Sequence, residues 1–67
     1  MQLTINGTAR TFDPAVRTVA ELVRALALEG KRIAVEKNGA IVPKSRYAET
    51  PLADGDTLEI VGAVGGG

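Results

Sequence analysis

Apolar and polar residues alternate at the start of the chain. Met1, Leu3 and Ile5 are separated by polar residues, and this period of two is typical of a strand with one buried face. Asn6-Gly7 follows, and this dipeptide favours a two-residue hairpin turn because a type I′ turn needs positive φ at both central positions. Residues 8–12 are therefore expected to return as a second strand.

The register of this hairpin has two interpretations. A two-residue loop pairs Met1 with Phe12 and Leu3 with Arg10. The second of these pairs sets an apolar side chain opposite a charged one. A bulge or a longer loop is therefore the alternative.

The period changes to that of a helix after Asp13-Pro14. One apolar stripe of an amphipathic helix is formed by Val19, Leu22, Val23 and Leu26. Thr18 and Glu21 have the spacing of a capping box at the helix start, and Gly30 is expected to supply the left-handed residue at the helix end. A helix of about ten residues is too short to be stable alone in water, so it must pack on a sheet.

A second hairpin follows the helix. Ile33 and Val35 mark a third strand, and Asn38-Gly39 is another hairpin turn. Residues 40–42 form a short fourth strand that Pro43 ends or places at a sheet edge.

The last part of the chain predicts an irregular segment and one more strand. Residues 44–53 are irregular, with a single helical turn near Tyr47, which is expected to be a partly buried anchor. Asp54-Gly55-Asp56 is a tight turn, and residues 57–64 form the final strand. Its alternation sets Leu58, Ile60 and Val64 on the core face and Thr57, Glu59, Val61 and Ala63 on the other face.

The order of elements is hairpin, helix, hairpin, irregular segment and strand. A sheet with one helix covering one face is an α+β architecture. We expect residues 1–64 to form one domain and residues 65–67 to form a flexible glycine tail, since glycines have no side chain to pack. The predicted core consists of Leu3, Ile5, Val19, Leu22, Val23, Leu26, Ile33, Val35, Leu58 and Ile60.

Composition narrows the possible functions. The chain has 67 residues, which suffice for one domain, and it contains no Cys and no His. Disulfides, Cys/His zinc sites and His-dependent catalytic pairs are thereby excluded. Eight basic residues balance eight acidic ones and only 3% of residues are aromatic, so we expect no binding to nucleic acid or to a membrane surface. No segment has the pattern of a signal peptide or a membrane span, and we expect a cytoplasmic protein that is not itself an enzyme.

Two charged pairs have structural interpretations. Asp54 and Asp56 flank a glycine, as tight turns require, and lack the further oxygen ligands of a calcium loop. Lys31-Arg32 follows the helix and is interpreted as helix-end electrostatics or solvated surface rather than a phosphate site. We therefore predict no metal and no bound cofactor.

The sequence ends in Gly65-Gly66-Gly67. At a background of ~7% glycine, three successive glycines at this position occur by chance in roughly 0.03% of chains. A frayed chain end is the simple interpretation. The functional interpretation is that the Gly67 carboxylate is the reactive group, because a segment without side chains can enter a narrow slot on a partner. A carboxylate is a poor acyl donor, so it must first be activated, most simply as a mixed anhydride with AMP.

The outward face of the last strand is the predicted docking surface for partners. Val61 and Ala63 lie at its centre, and Val64 is near the root of the tail. Single exposed apolar residues are also common without any function, so an incidental patch is the alternative.

Several segments resemble the sulfur carrier proteins of thiamine biosynthesis. They are the capping box at residues 18–21, residues 33–43 with their Asn-Gly turn and Val-Pro end, the turn at residues 52–56, residues 58–61 and the terminal glycines. The resemblance extends over nearly the whole chain. It implies a ubiquitin-like β-grasp fold, with a mixed sheet of four to five strands packed on one helix. Because family members need two terminal glycines, Gly66-Gly67 is taken as that pair and Gly65 as an extra hinge.

The resemblance also implies a reaction cycle. An adenylating enzyme of the ubiquitin-activating type uses ATP to adenylate the carboxylate of Gly67, and sulfur from a persulfide on a donor protein then displaces AMP. The resulting thiocarboxylate gives its sulfur to thiazole synthase. ATP is thus a substrate of the partner enzyme and not a cofactor of this chain.

Two alternatives stay open. The sulfur carrier subunit of molybdopterin synthase has a similar fold and terminal glycine pair, but it is usually longer, and the Val42-Pro43 stretch fits the thiamine carriers better. Other sulfur carriers and protein modifiers of the same type belong with it. The second alternative is a β-grasp module that binds RNA or protein without tail chemistry, and zero net charge and scarce aromatic residues count against RNA.

Overall fold

The computed structural model describes residues 1–62. It contains a five-stranded sheet, one α-helix and one 3₁₀ helix. The strands are β1 Gln2–Ile5, β2 Thr8–Thr11, β3 Ile33–Lys37, β4 Ala40–Val42 and β5 Thr57–Gly62, the α-helix is α1 Val19–Ala25, and the 3₁₀ helix is Lys44–Glu49.

The strands form one mixed sheet in the order β2-β1-β5-β3-β4. The strands β1 and β5 are parallel, and the other neighbouring pairs are antiparallel. The helix α1 lies on one face of the sheet and buries its apolar stripe there. This topology confirms the predicted α+β class and the β-grasp arrangement of sheet and helix.

The first hairpin has the register of a two-residue loop. Leu3 lies opposite Arg10, and Phe12 donates a backbone hydrogen bond of 2.7 Å to the carbonyl of Met1. The bulge that we considered is therefore absent from this hairpin. The pair of Leu3 with Arg10 is tolerated because β2 is an exposed edge strand, where the Arg10 guanidinium lies in solvent, 5.4 Å from the centre of the Phe12 ring.

The start of α1 is the predicted capping box. The hydroxyl of Thr18 accepts a hydrogen bond from the backbone N–H of Glu21, and the Glu21 carboxylate accepts one from the backbone N–H of Thr18. A further hydrogen bond from the backbone N–H of Arg17 is the main reason why the pKa of Glu21 lies below its ordinary value.

The end of α1 differs from the prediction. The helix has seven residues and ends at Ala25, because Ala27 adopts the left-handed conformation with a φ of 60°. The N–H groups of Ala27 and Leu28 donate to the carbonyls of Arg24 and Val23, which is the Schellman pattern. Gly30 has a φ of 81° but serves the next turn, in which Lys31 donates to the carbonyl of Leu28.

The core lies between α1 and the sheet. Eight of the ten predicted core residues are buried, whereas Leu26 and Ile33 are only partly buried at its margin. Three further buried residues were not predicted: Val16, Val42 and Leu52. Val16 and Leu52 lie in the loop before α1 and in the segment after the 3₁₀ helix, and backbone hydrogen bonds join these two segments, such as the 2.9 Å bond from Leu52 N–H to the carbonyl of Arg17.

The second half of the chain follows the predicted order. The turn at Asn38-Gly39 joins β3 to β4, and the irregular segment contains a 3₁₀ helix of six residues, longer than the single turn predicted there. Tyr47 on this helix packs partly buried against the core, as expected. Within residues 1–62, no helix is both long and apolar enough to cross a membrane.

Candidate functional site

The candidate site is the end of β5, from which the glycine segment continues. β5 is the central strand, held by β1 on one side and by β3 on the other. Its pairing with β3 runs from Lys37↔Leu58 to Ile33↔Gly62. The last described residue, Gly62, is therefore part of the sheet.

Asn6 joins β5 to β1 through its side chain. Beyond Ile5, its backbone N–H donates to the carbonyl of Leu58 at 2.9 Å. Its side-chain Nδ2 donates to the carbonyl of Ile60 at 2.9 Å, and its Oδ1 accepts from the N–H of Ile60 at 2.7 Å. The amide side chain thus continues the parallel ladder after the β1 backbone has turned away.

Asn38 has the matching position on the other side of β5. Its backbone N–H donates to the carbonyl of Thr57 at 2.8 Å, and its Oδ1 accepts from the N–H of Thr57 at 2.9 Å. Its Nδ2 donates to Asp56 at 3.0 Å. Both Asn-Gly turns therefore bind β5 with their asparagine side chains, Asn38 at the start of the strand and Asn6 near its end.

Asp54 and Asp56 stabilise the turn before β5, as predicted. Asp54 accepts from the N–H of Gln2 at 2.6 Å, and Asp56 accepts from the N–H of Ala53 at 2.8 Å. Burial opposes ionisation of Asp56, but hydrogen bonds from Asn38 and Ala53 and the charge of Lys37 hold its pKa below the ordinary value. In the part of the chain that the structure describes, no group of three or more acidic residues could hold a metal ion.

The outer face, meaning the sheet face opposite α1, bears the exposed apolar residues. Val61 is 57% exposed and lies opposite Ala34, and Ile41 is 67% exposed on the edge strand β4. Glu36 lies beside Ile41 and directly opposite Glu59. The structure thus places Val61 where the alternation of β5 predicted it, on an exposed surface that is apolar and acidic.

The remaining predicted site residues lie outside the described residues. These are Ala63 and Val64 of the predicted docking surface and Gly65, Gly66 and Gly67 of the predicted reactive segment. Their proposed roles stay predictions.

The sequence did not predict that the side chains of Asn6 and Asn38 bind β5. The Asn-Gly dipeptides predicted turns, and both turns are present, but a turn alone does not imply that its asparagine side chain binds β5. Asn6 and Ile60 are 54 positions apart. The choice of Asn over Asp or Gly at both turns is the one available indication, since only an amide both donates and accepts.

Solved structures have the same arrangement of elements. A crystal structure of the thiamine biosynthesis protein ThiS from Geobacter metallireducens matches with a TM-score of 0.85 and 36% identity, covering 100% of each chain. The class defined by this fold is therefore the ubiquitin-like β-grasp class.

Sequence comparison narrows the class to one family. The model of the ThiS family matches residues 3–67, and the sulfur carrier protein ThiS of Bacillus subtilis is 40% identical over 65 residues, which cover 97% of this chain and 98% of that protein. The chain belongs to the ThiS family. A protein named thiazole synthase from Paramagnetospirillum magneticum is 48% identical over all 67 residues, but the chain spans only 20% of its length.

Proposed function

We propose that this chain is a sulfur carrier of thiamine biosynthesis whose Gly67 carboxylate carries the sulfur. The observation that supports this most is the end-to-end similarity to the ThiS of Bacillus subtilis, at 40% identity. The match of the ThiS family extends through residue 67, so it includes the glycine segment on which the chemistry depends.

The proposed chemistry needs no catalytic group on the carrier. The Gly67 carboxylate attacks the α-phosphorus of ATP on a partner enzyme, which forms an acyl adenylate and releases pyrophosphate. A persulfide sulfur of the donor protein then forms a bond to the acyl carbon, and the bond to AMP breaks. A thiol cleaves the sulfur–sulfur bond of this intermediate, becomes oxidised to a disulfide, and leaves the thiocarboxylate at Gly67. The carrier contributes a slim segment and a surface for docking.

Thiazole synthase is the partner with support from the comparisons. Thiazole synthases of Paramagnetospirillum magneticum and Magnetococcus marinus each contain a segment that matches all of this chain and makes up 20% of their length. A carrier-like segment within a protein of that name fits a direct transfer of sulfur between the two. We propose the same transfer for this chain.

The outer face is the proposed docking surface for the adenylating enzyme. Val61 and Ile41 supply apolar contact area, and the region at residues 63–64 would extend it toward the reactive end. Glu36 and Glu59 face each other across β3 and β5, and like charges directly opposite are destabilising. A partner with basic side chains would relieve this repulsion, and an enzyme that binds ATP carries cations near the phosphates.

A role in molybdopterin synthesis is less well supported. Two relatives that match this chain over most of their own length are the ThiS proteins of Bacillus subtilis and Geobacter metallireducens. A binding module without tail chemistry is also disfavoured, because it gives no reason for a run of glycines at residues 65–67.

The experiment is intact mass spectrometry of the chain produced with its adenylating enzyme, persulfide donor and ATP. We expect the mass increase that corresponds to one oxygen replaced by sulfur, mapped to Gly67 by fragmentation. Omission of ATP is the control and should abolish the increase. An unchanged mass together with no ATP–pyrophosphate exchange by the adenylating enzyme would refute the carrier function.

A further inference from the structure

A groove lies on the side of the sheet that carries α1. Its volume is about 390 Å³, which is within the range of surface sites that accept a small ligand or a side chain of a partner. Its apolar floor comes from α1, from the loop that follows it, from β3 and from the 3₁₀ helix: Ala20, Val23, Leu28, Ile33 and Tyr47.

The rim of this groove is basic. Lys31, Arg32 and Lys44 line it and are exposed. The one acidic residue of the lining, Glu29, forms an ion pair of 3.5 Å with Arg24, which does not line the groove. Among residues 1–62, no carboxylate lies within 4.0 Å of the three rim cations. We call this site the basic groove. An occupant that carries carboxylates for the rim and an apolar side chain for the floor would complement it.

The basic groove lies next to the end of β5 that the structure describes. Ile33, part of its floor, lies directly opposite Gly62 in the sheet, and Arg32 precedes Ile33 in the chain. An enzyme that binds residues 63–67 would therefore lie close to the groove or to the outer face. These two surfaces lie on opposite sides of the sheet and differ in charge, since the outer face carries Glu36 and Glu59 and the groove carries three cations.

We propose that the basic groove docks an acidic segment of thiazole synthase, with one apolar side chain of that segment seated on the floor. This inference rests on the proposed carrier function. A carrier that delivers sulfur must contact two different enzymes, and two surfaces of opposite charge allow each enzyme to be recognised separately. The acidic outer face suits the enzyme with cations around ATP, so the basic groove is left for the enzyme that accepts the sulfur.

The test compares charge reversals of equal size at matched positions. Arg32→Glu and Lys44→Glu change the groove from two different elements. Arg10→Glu changes an exposed cation on β2, away from the groove. The dissociation constant of each full-length variant is measured by calorimetry against purified thiazole synthase and, separately, against the adenylating enzyme. Melting curves establish that each variant is folded.

We expect each groove variant to weaken binding to thiazole synthase by about fivefold or more at low salt, because rim charges govern encounter and salt dependence. Arg10→Glu should stay within about twofold of the parent, and binding of the groove variants to the adenylating enzyme should be unchanged. Added salt should weaken the parent complex with the synthase more than the Arg32→Glu complex.

Three outcomes would overturn the inference while the carrier function stands. They are parent-like binding of folded groove variants to the synthase, an equal loss for Arg10→Glu, or a loss confined to the adenylating enzyme, which would assign the groove to that partner. If the parent protein bound neither enzyme, the proposed function would fail, and this inference would fail with it.

Discussion

The side-chain amide of Asn6 takes the place of a peptide group between β1 and β5, where it both donates to and accepts from the backbone of Ile60. Asn6 has a φ of 50°, which turns the β1 backbone away from β5 and brings the side chain into line with the ladder. The last part of β5 thus depends on a single side chain on its β1 side. Asn6 therefore helps to hold the end of β5, the strand that precedes the proposed reactive segment in the sequence.

Replacement of Asn6 by Gly tests this contact without adding strain, because Gly accepts positive φ. The variant loses two hydrogen bonds, and we expect the free energy of unfolding to fall by roughly 1–3 kcal/mol. Urea titration measures the loss, and amide exchange at Ile60 should accelerate more than exchange at Thr57. Asn38→Gly is the matched control and should show the reverse order. Equal acceleration at both amides in both variants would contradict the separate roles of the two side chains.

The end of α1 offers a stabilising substitution. Ala27 is exposed and has a φ of 60°, a conformation that costs an L-residue roughly 1–2 kcal/mol. Ala27→Gly removes this strain but makes the unfolded chain more flexible, so we expect a net gain of about 0.5–1 kcal/mol. Ala25→Gly, two residues earlier and inside the helix, should instead lose about 1 kcal/mol. Chemical denaturation measures the free energy of unfolding of both variants. A lower free energy of unfolding for both would show that the helix continues past Ala27.

Acid should destabilise the fold partly through Asp56. Its pKa in the folded protein lies below the ordinary value of 3.8, so its contribution is fully present above that pH and is lost as the pH falls through the folded-state value. Asp56→Asn removes the charge and should lower the free energy of unfolding by roughly 1–2 kcal/mol near neutral pH. The difference from the parent should shrink as the pH falls below 3.8 and the parent carboxylate becomes protonated at its lower folded-state pKa. Urea unfolding of both proteins from neutral to acidic pH measures the difference in their free energies of unfolding. A difference that does not depend on pH would contradict the role given to the Asp56 carboxylate.

The fold followed from local patterns, and the errors came from contacts that join distant parts of the chain. The period of two in β1, the Thr18–Glu21 spacing and the two Asn-Gly turns each act within a few residues, so the sequence predicted them. Val16 and Leu52 lie in loops without periodicity, and their burial depends on loop-to-loop bonds. Gly30 is the better residue for a left-handed conformation, yet the helix ends earlier, because the Schellman bonds and the packing of Leu28 on the core outweigh the strain at Ala27.

The candidate site was predicted in part for the same reason. Alternation along β5 was sufficient to place Val61 on the exposed face. The basic groove could not be predicted, because Lys44 and Tyr47 reach it from the 3₁₀ helix, whereas Lys31 and Arg32 come from the loop after α1. The sequence around Lys31-Arg32 indicated only helix-end electrostatics or solvated surface, and the apolar floor beside these residues exists only in the folded protein.

Docking on the outer face can be tested at Val61. Val61→Asp adds a third negative charge beside Glu36 and Glu59 and removes apolar contact area, so we expect weaker binding to the adenylating enzyme by about tenfold or more. The side chain is 57% exposed, so the melting curve should change little. Ala9→Asp, also on the outer face but on the edge strand β2, is the control and should bind as the parent does. Equal affinity of Val61→Asp and the parent would make the patch incidental.

The last prediction concerns Gly66, which precedes the proposed reactive residue. If the Gly67 carboxylate reaches ATP through a narrow slot on the adenylating enzyme, Gly66 lies in the neck of that slot during the reaction. Gly66→Ala adds one methyl group and restricts φ and ψ. A methyl in a closely packed slot costs roughly 1–3 kcal/mol by analogy with overpacked cores. Since each ~1.4 kcal/mol in the transition state is tenfold in rate, we expect adenylation to slow about ten- to a hundredfold.

ATP–pyrophosphate exchange with the purified adenylating enzyme measures this rate. Gly62→Ala is the matched control, because a Cβ at Gly62 would meet no atom within 4 Å in the described structure and because Gly62 belongs to the sheet and not to the threaded segment. It should leave the exchange rate near that of the parent. The free energy of unfolding of Gly66→Ala, obtained from its melting curve, should stay within about ±0.5 kcal/mol of that of the parent, as is typical of surface positions. A parent-like rate for Gly66→Ala would refute threading through a narrow slot but not the carrier function, because a wider slot could still bring Gly67 to ATP.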